Sequence, residues 1–102
     1  MATRLDLQTE FEKLLGNRNV YFQPPSSLTM KYPCVRYALS DKDLKYADGR
    51  IYKTTNRYEV IIIDYDPDSD IPDKILAHFP MCSFDRMYVS SNLNHFVLTL
   101  YY

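Results

Sequence analysis

The stretch Val60-Ile61-Ile62-Ile63 decides the fold that we predict for this chain. It forms the apolar centre of the longest predicted strand, residues 52–65. Side chains of a strand alternate between two faces, so four consecutive apolar residues indicate a strand that is covered on both of them. We therefore place the hydrophobic core here and expect this strand to lie in the middle of a sheet.

Four further strands are predicted around this central strand. Each is a short run of β-branched, aromatic or alternating apolar residues next to Pro, Gly, Asn, Asp or Ser. They cover residues 20–22, 32–39, 82–89 and 94–101. Residues 90–93 join the last two strands as a hairpin, and Asp48-Gly49 in the polar segment 40–51 predicts a tight turn before the central strand.

Apolar residues at helical spacing predict two helices, one before and one after the central strand in the sequence. The first covers residues 5–15, with Thr3 as its N-cap and Gly16 in the left-handed conformation at its end. The second begins after Asp70, which we predict to be its N-cap, and is stopped by Pro80. The faces predicted to be buried contain Leu7, Phe11, Leu14 and Leu15 in the first helix and Ile71, Ile75, Leu76 and Phe79 in the second.

The order of these elements predicts an α+β fold. Because short turns join neighbouring strands, we expect a small, mostly antiparallel sheet with the two helices packed on one face. A length of 102 residues fits a single domain, residues 1–102. No segment approaches the roughly 20 apolar residues that cross a bilayer, and residues 1–6 lack a signal-peptide pattern. We accordingly expect no membrane partner and a location in the cytoplasm of the host cell.

The balance of charges and the choice of aromatic residues favour protein partners over nucleic acid. The formal net charge is −1, and basic and acidic residues are interspersed without a long run of either sign. Tight binding to DNA requires a concentrated basic face, which this sequence lacks. The chain contains ten Tyr and no Trp, and Tyr suits protein interfaces because it combines an apolar ring with a polar hydroxyl.

Four alternating aspartates resemble the start of a calcium-binding loop; they are Asp64, Asp66, Asp68 and Asp70. Such a loop requires Gly at its sixth position and Glu at its twelfth, where this chain has Ser69 and Ile75. We therefore favour a strand exit followed by a helix cap over a calcium site.

Two cysteines and two histidines are the remaining candidates for chemistry. His95 with either Cys34 or Cys82 is a conceivable nucleophilic pair, but the sequence provides no obvious oxyanion loop and we favour structural thiols. His78 and His95 have no neighbouring ligands in an HxxxH or CxxC pattern. The two glycines lie far apart and form no phosphate-binding loop. We predict that the protein is not an enzyme, with no catalytic residue, no cofactor and no metal.

Aromatic and basic residues are mixed in the segment predicted to form an extended hairpin. Three interpretations are open: a surface that stacks on single-stranded nucleic acid, a hairpin whose Tyr residues pack while Lys and Arg stay solvated, and an arm that docks on another protein. We favour the docking arm. The residues predicted to lie in protein interfaces are Lys45, Tyr46, Arg50, Tyr52 and Lys53 in this arm, together with Tyr101 and Tyr102.

Several segments taken together resemble small proteins encoded among the neck and tail genes of long-tailed bacteriophages. The resemblance covers nearly the whole chain. The segments are Asn19-Val20-Tyr21-Phe22-Gln23-Pro24-Pro25, Met30-Lys31-Tyr32-Pro33-Cys34, Tyr58-Glu59-Val60, Asp64-Tyr65-Asp66-Pro67-Asp68-Ser69, Ile71-Pro72-Asp73-Lys74-Ile75, Cys82-Ser83-Phe84-Asp85-Arg86 and Leu93-Asn94-His95.

Within this group, the size and the order of elements most resemble a tail terminator, also called a tail-completion protein. The resemblance implies a structural virion protein of the neck, assembled in the host cytoplasm. It would form a ring, typically a hexamer, between the tail-tube protein and the head-tail connector protein, and DNA would pass through without specific binding. Another connector component, an adaptor or a stopper, and a small nucleic-acid-binding regulator remain alternatives. The resemblance assigns no individual functional residue.

Overall fold

A computed structural model of the chain describes residues 4–25, 29–47 and 50–102, with the side chains of all of these except residues 41, 43–47 and 50–54. Thr3, predicted as a cap, and the Asp48-Gly49 step, predicted as a turn, lie outside the described residues. Neither helix of the described part has the length and hydropathy of a membrane span. The elements in chain order are α1 (Arg4–Leu15), β1 (Val20–Phe22), β2 (Cys34–Ala47), β3 (Arg50–Asp64), α2 (Ile71–His78), β4 (Cys82–Ser90) and β5 (Leu93–Tyr101).

The five strands form one sheet in the order β1-β2-β3-β5-β4. Neighbouring strands are antiparallel except β1 and β2, which are parallel. A parallel pair needs a longer connection than a hairpin turn, and residues 23–33 provide it. With its two helices the structure has the predicted α+β fold, and β3 occupies the predicted central position.

Both helices pack on one face of the sheet, as predicted. Val60 and Ile62 of β3 are fully buried in the core on this side. The other side of β3 is also covered in part, since Ile63 is 3% exposed and packs with Cys34 and Leu93. The helix-side core contains Leu7, Phe11, Val20, Val35, Tyr37, Tyr58, Val60, Ile62, Ile71, Ile75, Phe79, Phe96, Leu98 and Leu100.

The predicted helix ends that lie within the described residues are the end of α1 and both ends of α2. Gly16 ends α1 with φ at +82°, in the left-handed region that favours glycine. Asp70 occupies the predicted N-cap position of α2, and its carbonyl accepts a 3.1 Å hydrogen bond from the N–H of Lys74, but the prediction of a side-chain cap is wrong because its carboxylate makes no capping hydrogen bond. That carboxylate instead lies 3.4 Å from the Nζ of Lys74. The hydroxyl of Ser69 accepts a 3.4 Å hydrogen bond from the N–H of the first helical residue.

Strands β2 and β3 are longer than their sequence patterns predict. β2 continues through residues 40–47, past the predicted strand end at Leu39, and β3 begins at Arg50, so the two strands form an extended hairpin of the kind predicted for this segment. Polar residues remain in strand conformation there because the two strands pair with each other. Their antiparallel register runs from Cys34 opposite Ile63 to Ala47 opposite Arg50.

Candidate interaction surfaces

The distal parts of β2 and β3 extend beyond the rest of the sheet. Pairing of β3 with β5 ends at Arg57, whereas pairing of β3 with β2 continues to Arg50. Residues 42–47 and 50–56, named here the arm, therefore form a two-stranded ribbon. At about 3.3 Å per residue the ribbon is about 20 Å long. No third strand lies beside it in the described part of the sheet.

Hydrogen bonds fix the base of the arm to the body of the domain. Ser40 forms a bulge in β2, and a bulge bends a strand and increases its twist. The Oγ of Ser40 donates to the carbonyl of Arg57 at 2.9 Å and accepts from the Nε of Arg57 at 3.3 Å. At Asn56, the residue before Arg57 in β3, the backbone carbonyl accepts a 3.1 Å hydrogen bond from the N–H of Tyr102. These bonds give the arm a defined direction as it leaves the sheet.

The structure brings together the five predicted arm residues Lys45, Tyr46, Arg50, Tyr52 and Lys53. Lys45 and Lys53 are opposite each other in the backbone register, and Tyr52 lies at a register shift. Their backbone is described and their side chains are not, so their role in an interface stays a prediction.

The other two predicted interface residues, Tyr101 and Tyr102, lie at the base of the arm. Tyr102 is half-buried against the helix-side core, with its ring centroid 5.8 Å from that of Phe79. Burial, followed by the nearby carboxylates of Asp6 and Glu10, raises the pKa of Tyr102. Contacts within one chain therefore already position this side chain, and the interface role of both tyrosines stays a prediction.

A second surface, which the sequence pattern does not predict, runs along β4. β4 is the outer strand of the sheet, and its residues 83–90 are all exposed. The exposed fraction is 51% for Phe84, 43% for Met87, 40% for Tyr88 and 66% for Val89. The sequence offers no signal for this surface, because Phe84 and Met87 are of residue types that are as common in buried strands. A small domain has little apolar surface to spare, so an apolar outer strand is typical of a docking surface.

The structure keeps apart the residues considered as a nucleophilic pair. Cys82 is opposite Leu100, five positions along β5 from His95, which corresponds to about 17 Å. Cys34 and His95 lie on either side of Ile63, two strand spacings or about 10 Å apart. Burial raises the pKa of Cys34 to about 12 and the pKa of Cys82 to about 11. Both thiols therefore stay protonated, and weakly nucleophilic, at neutral pH.

Each histidine makes contacts that stabilise the fold. The Nε2 of His78 lies 2.9 Å from the carboxylate of Glu10, which links α2 to α1. The ring of His95 stacks on Tyr88 with centroids 4.6 Å apart and an angle of 12° between the rings. Its Nδ1 lies 3.1 Å from the carbonyl of Leu93. These contacts agree with a structural role for both residues.

The aspartates that follow β3 form a backbone turn. The Oδ1 of Asp64 accepts the N–H of Asp66 at 3.2 Å, and the Oδ1 of Asp66 accepts the N–H of Asp68 at 2.9 Å. The buried side chain of Asn94 donates to the carbonyls of Asp64 and Tyr65. These bonds form the strand exit that we favoured over a calcium loop. Within the described ranges, no group of three or more His, Cys, Asp or Glu residues is placed to hold a metal ion.

Comparisons with protein-family models and with curated proteins give no match for this chain. The fold class therefore rests on the structure, and the resemblance to tail terminators stays a prediction from the sequence.

Proposed function

We propose that the protein is a structural subunit of the neck of a long-tailed bacteriophage, a tail terminator that forms a hexameric ring on the end of the tail tube. The observation that carries this proposal is the arm, residues 42–47 and 50–56. The resemblance in sequence supports the kind of assembly. The arm supports a subunit that docks on its neighbours.

A two-stranded ribbon of this kind would be stabilised by contact with another protein surface. Such a ribbon is marginally stable in water, and further strands or a packed face are needed for independent stability. The arm extends about 20 Å past β5, and Ser40 and Arg57 fix its base. An arm with a fixed direction suits a contact with the body of the next subunit. Repeated head-to-tail contacts form a ring when the rotation between neighbours closes.

The charge of the chain suits a ring through which DNA passes. With a formal net charge of −1, the chain as a whole has no excess of positive charge that would hold the phosphates of DNA in place. Its partners would be the tail-tube protein on one side and the head-tail connector protein on the other. Its final location would be the neck of the virion, after assembly in the host cytoplasm.

Two other functions make different predictions. An adaptor or stopper of the same neck would bind the connector and not the end of a bare tail tube. A nucleic-acid-binding regulator would use the cations Arg50, Lys53 and Arg57, and would bind single-stranded DNA with a strong dependence on salt.

The test combines the purified chain with tail tubes of the corresponding phage that lack their terminator. Negative-stain microscopy and native mass spectrometry should detect a hexameric ring at the tube ends. A variant with Tyr46→Ala, Tyr52→Ala and Lys53→Ala should keep its circular-dichroism spectrum, because the arm lies outside the five-stranded part of the sheet, and should lose the ring. A matched variant with Tyr65→Ala and Lys74→Ala, both exposed outside the arm, should bind like the unchanged protein.

A chain that forms no ring alone and does not attach to tube ends contradicts the proposal. Attachment to the connector alone would indicate an adaptor or a stopper. A salt-dependent gel shift that is abolished by Arg50→Ala, Lys53→Ala and Arg57→Ala would indicate the regulator.

A further inference from the structure

We propose that β4 binds a second copy of this chain, forming a two-fold symmetric dimer in which the two β4 strands pair in antiparallel orientation. The dimer is a property of the free protein and does not rest on the proposed function. Three features of the molecule support it: the open edge of the sheet, the side chains that share a face of β4, and the order of its charges.

Of the two outer strands of the five-stranded part of the sheet, β4 is the one that is open to strand pairing. The opposite edge, β1, contains only three residues, and the carbonyl of Val20 already accepts a 2.9 Å hydrogen bond from the Nε2 of Gln8. β4 contains nine residues, and among the described strands none lies on its outer side. A long apolar edge strand is a template for pairing with another chain.

A bulge at Asp85 places Phe84 and Met87 on the same face of β4. Phe84 is opposite Leu98 and Met87 is opposite Phe96, and both of these β5 residues belong to the helix-side core. In a regular strand, residues three positions apart point to opposite faces. Because of the bulge, the exposed side chains of Phe84 and Met87 form an apolar pair at the rim of the core.

The side chains of β4 are complementary to those of a second β4 strand that runs antiparallel to it. Two antiparallel copies can be aligned with Asp85 opposite Arg86 of the second copy. Phe84 then lies opposite Met87 of the second copy, and both side chains are on the helix side of the sheet. Two-fold symmetry repeats both pairs, so one register matches apolar with apolar residues and negative with positive charges.

The two charges of β4 favour the second copy over an unrelated strand. Within one chain the Nη1 of Arg86 lies 2.7 Å from the Oδ2 of Asp85, and the side chains are 56% and 46% exposed. An uncharged strand placed on β4 would desolvate this pair without offering new partners, which is unfavourable. A second β4 offers Arg opposite Asp and Asp opposite Arg. The bulge at Asp85 also disfavours a regular strand, whose register it interrupts.

Sedimentation equilibrium of the intact chain tests the dimer. At about 100 µM protein, we expect a mass twice that of the 12.1 kDa chain. Asp85→Arg places like charges opposite each other and should weaken the dimer at least about tenfold. Asp85→Arg combined with Arg86→Asp restores opposite charges across the interface and should restore the dimer. Asp68→Arg makes the same charge change at an exposed position outside β4 and should have no effect.

Disulfide cross-linking tests the register separately. Under mild oxidation, a mixture of the Phe84→Cys and Met87→Cys proteins should form mixed dimers faster than either protein cross-links with itself. Circular dichroism of each variant shows whether it is folded. Equal cross-linking rates in all three samples would overturn the register.

A chain that remains monomeric at this concentration overturns the proposal. So does a dimer that Asp85→Arg leaves intact or that the double exchange fails to restore. A larger ring that survives Asp85→Arg would support the proposed function and overturn the β4 dimer, so the two proposals fail independently.

Discussion

The phenolic hydroxyl of Tyr37 on β2 donates a 2.6 Å hydrogen bond to the Oε1 of Gln8 on α1. Tyr37 is fully buried, and the Nε2 of Gln8 in turn donates to the carbonyl of Val20 on β1. The guanidinium of Arg4 lies 3.4 Å from the same hydroxyl and 4.4 Å from the ring centroid of Phe22. This polar cluster therefore holds α1, β1 and β2 together along one margin of the core.

Tyr37→Phe should lower the free energy of unfolding by about 1–2 kcal/mol. The substitution keeps the ring packing and leaves the Oε1 of Gln8 without its donor. Urea denaturation followed by circular dichroism measures the loss. Tyr65→Phe, at a residue that is 67% exposed, is the control and should change stability by less than about 0.5 kcal/mol. Equal effects of the two substitutions would argue against a stabilising role for the buried hydrogen bond.

Stability should fall as the pH rises above about 9. Burial raises the pKa of Cys34 from 9.0 to about 12 and the pKa of Cys82 from 9.0 to about 11. Above pH 9 the unfolded chain therefore loses thiol protons that the folded chain keeps. This favours the unfolded state by at most about 1.4 kcal/mol per pH unit for each thiol. Below pH 9 both states keep these protons, and the contribution is constant.

Urea denaturation under reducing conditions, from about pH 8 to pH 10.5, measures this slope. Cys34→Ala removes the buried thiol and leaves the partly buried thiol of Cys82, so it should make the slope shallower, whatever its effect on stability at pH 7. Burial also raises the pKa of Tyr37, so part of the slope should remain in a variant without cysteines. A slope that is the same with and without the two thiols would refute their contribution.

Ile62→Ala should lower the free energy of unfolding by about 2–5 kcal/mol. Ile62 is fully buried in the central strand, so the smaller side chain leaves a cavity between the sheet and the helices. Leu5→Ala removes a similar side chain that is 65% exposed on α1 and should cost less than about 0.5 kcal/mol. Chemical denaturation of the two variants compares them, and losses of similar size would contradict the placement of the core.

A substitution in the turn between β4 and β5 is expected to raise the free energy of unfolding. Ser91 and Asn92 have φ values of +54° and +62°, as in a type I′ turn, where Gly is preferred at the second central position. Asn92→Gly should raise the free energy of unfolding by about 0.5 kcal/mol, whereas Asn92→Val should lower it by about 1–2 kcal/mol. Thermal denaturation ranks the stability of the unchanged protein and of the two variants. A valine variant as stable as the glycine variant would disprove the prediction.

The elements with a clear apolar pattern could be predicted, and those whose conformation depends on a partner strand could not. Residues 60–63 identify the central strand because an uninterrupted apolar run reports burial on two faces. The polar residues 40–47 carry no such pattern, so an extended hairpin could be anticipated there, but not the continuation of β2 through all of these residues, which depends on their pairing with β3. Asp70 has the residue type of a cap, but the backbone geometry at that position, with φ −88° and ψ −6°, is that of a helical turn.

The two candidate surfaces also differ in whether they could be predicted from the sequence. The arm could be anticipated from its mixture of aromatic and basic residues. The β4 surface could not, because Phe84 is 51% exposed and Phe96 is 7% exposed, and a sequence does not distinguish the two phenylalanines. The order of strands decides it, since β5 is inside the sheet and β4 is at its margin.

The position of β5 has a consequence for how the chain reaches its native state. β5 lies between β3 and β4 although it follows both of them in the chain. During synthesis, one side of β3 therefore stays unpaired until β5 has been made. The two strands are far apart in sequence, since Ile63 pairs with His95, more than thirty residues downstream. Such long-range pairing is slow, and the unpaired strand contains the apolar, β-branched stretch around Ile61, which is prone to intermolecular pairing. Production of the soluble protein should therefore depend on temperature and expression rate more than on the stability of the finished fold.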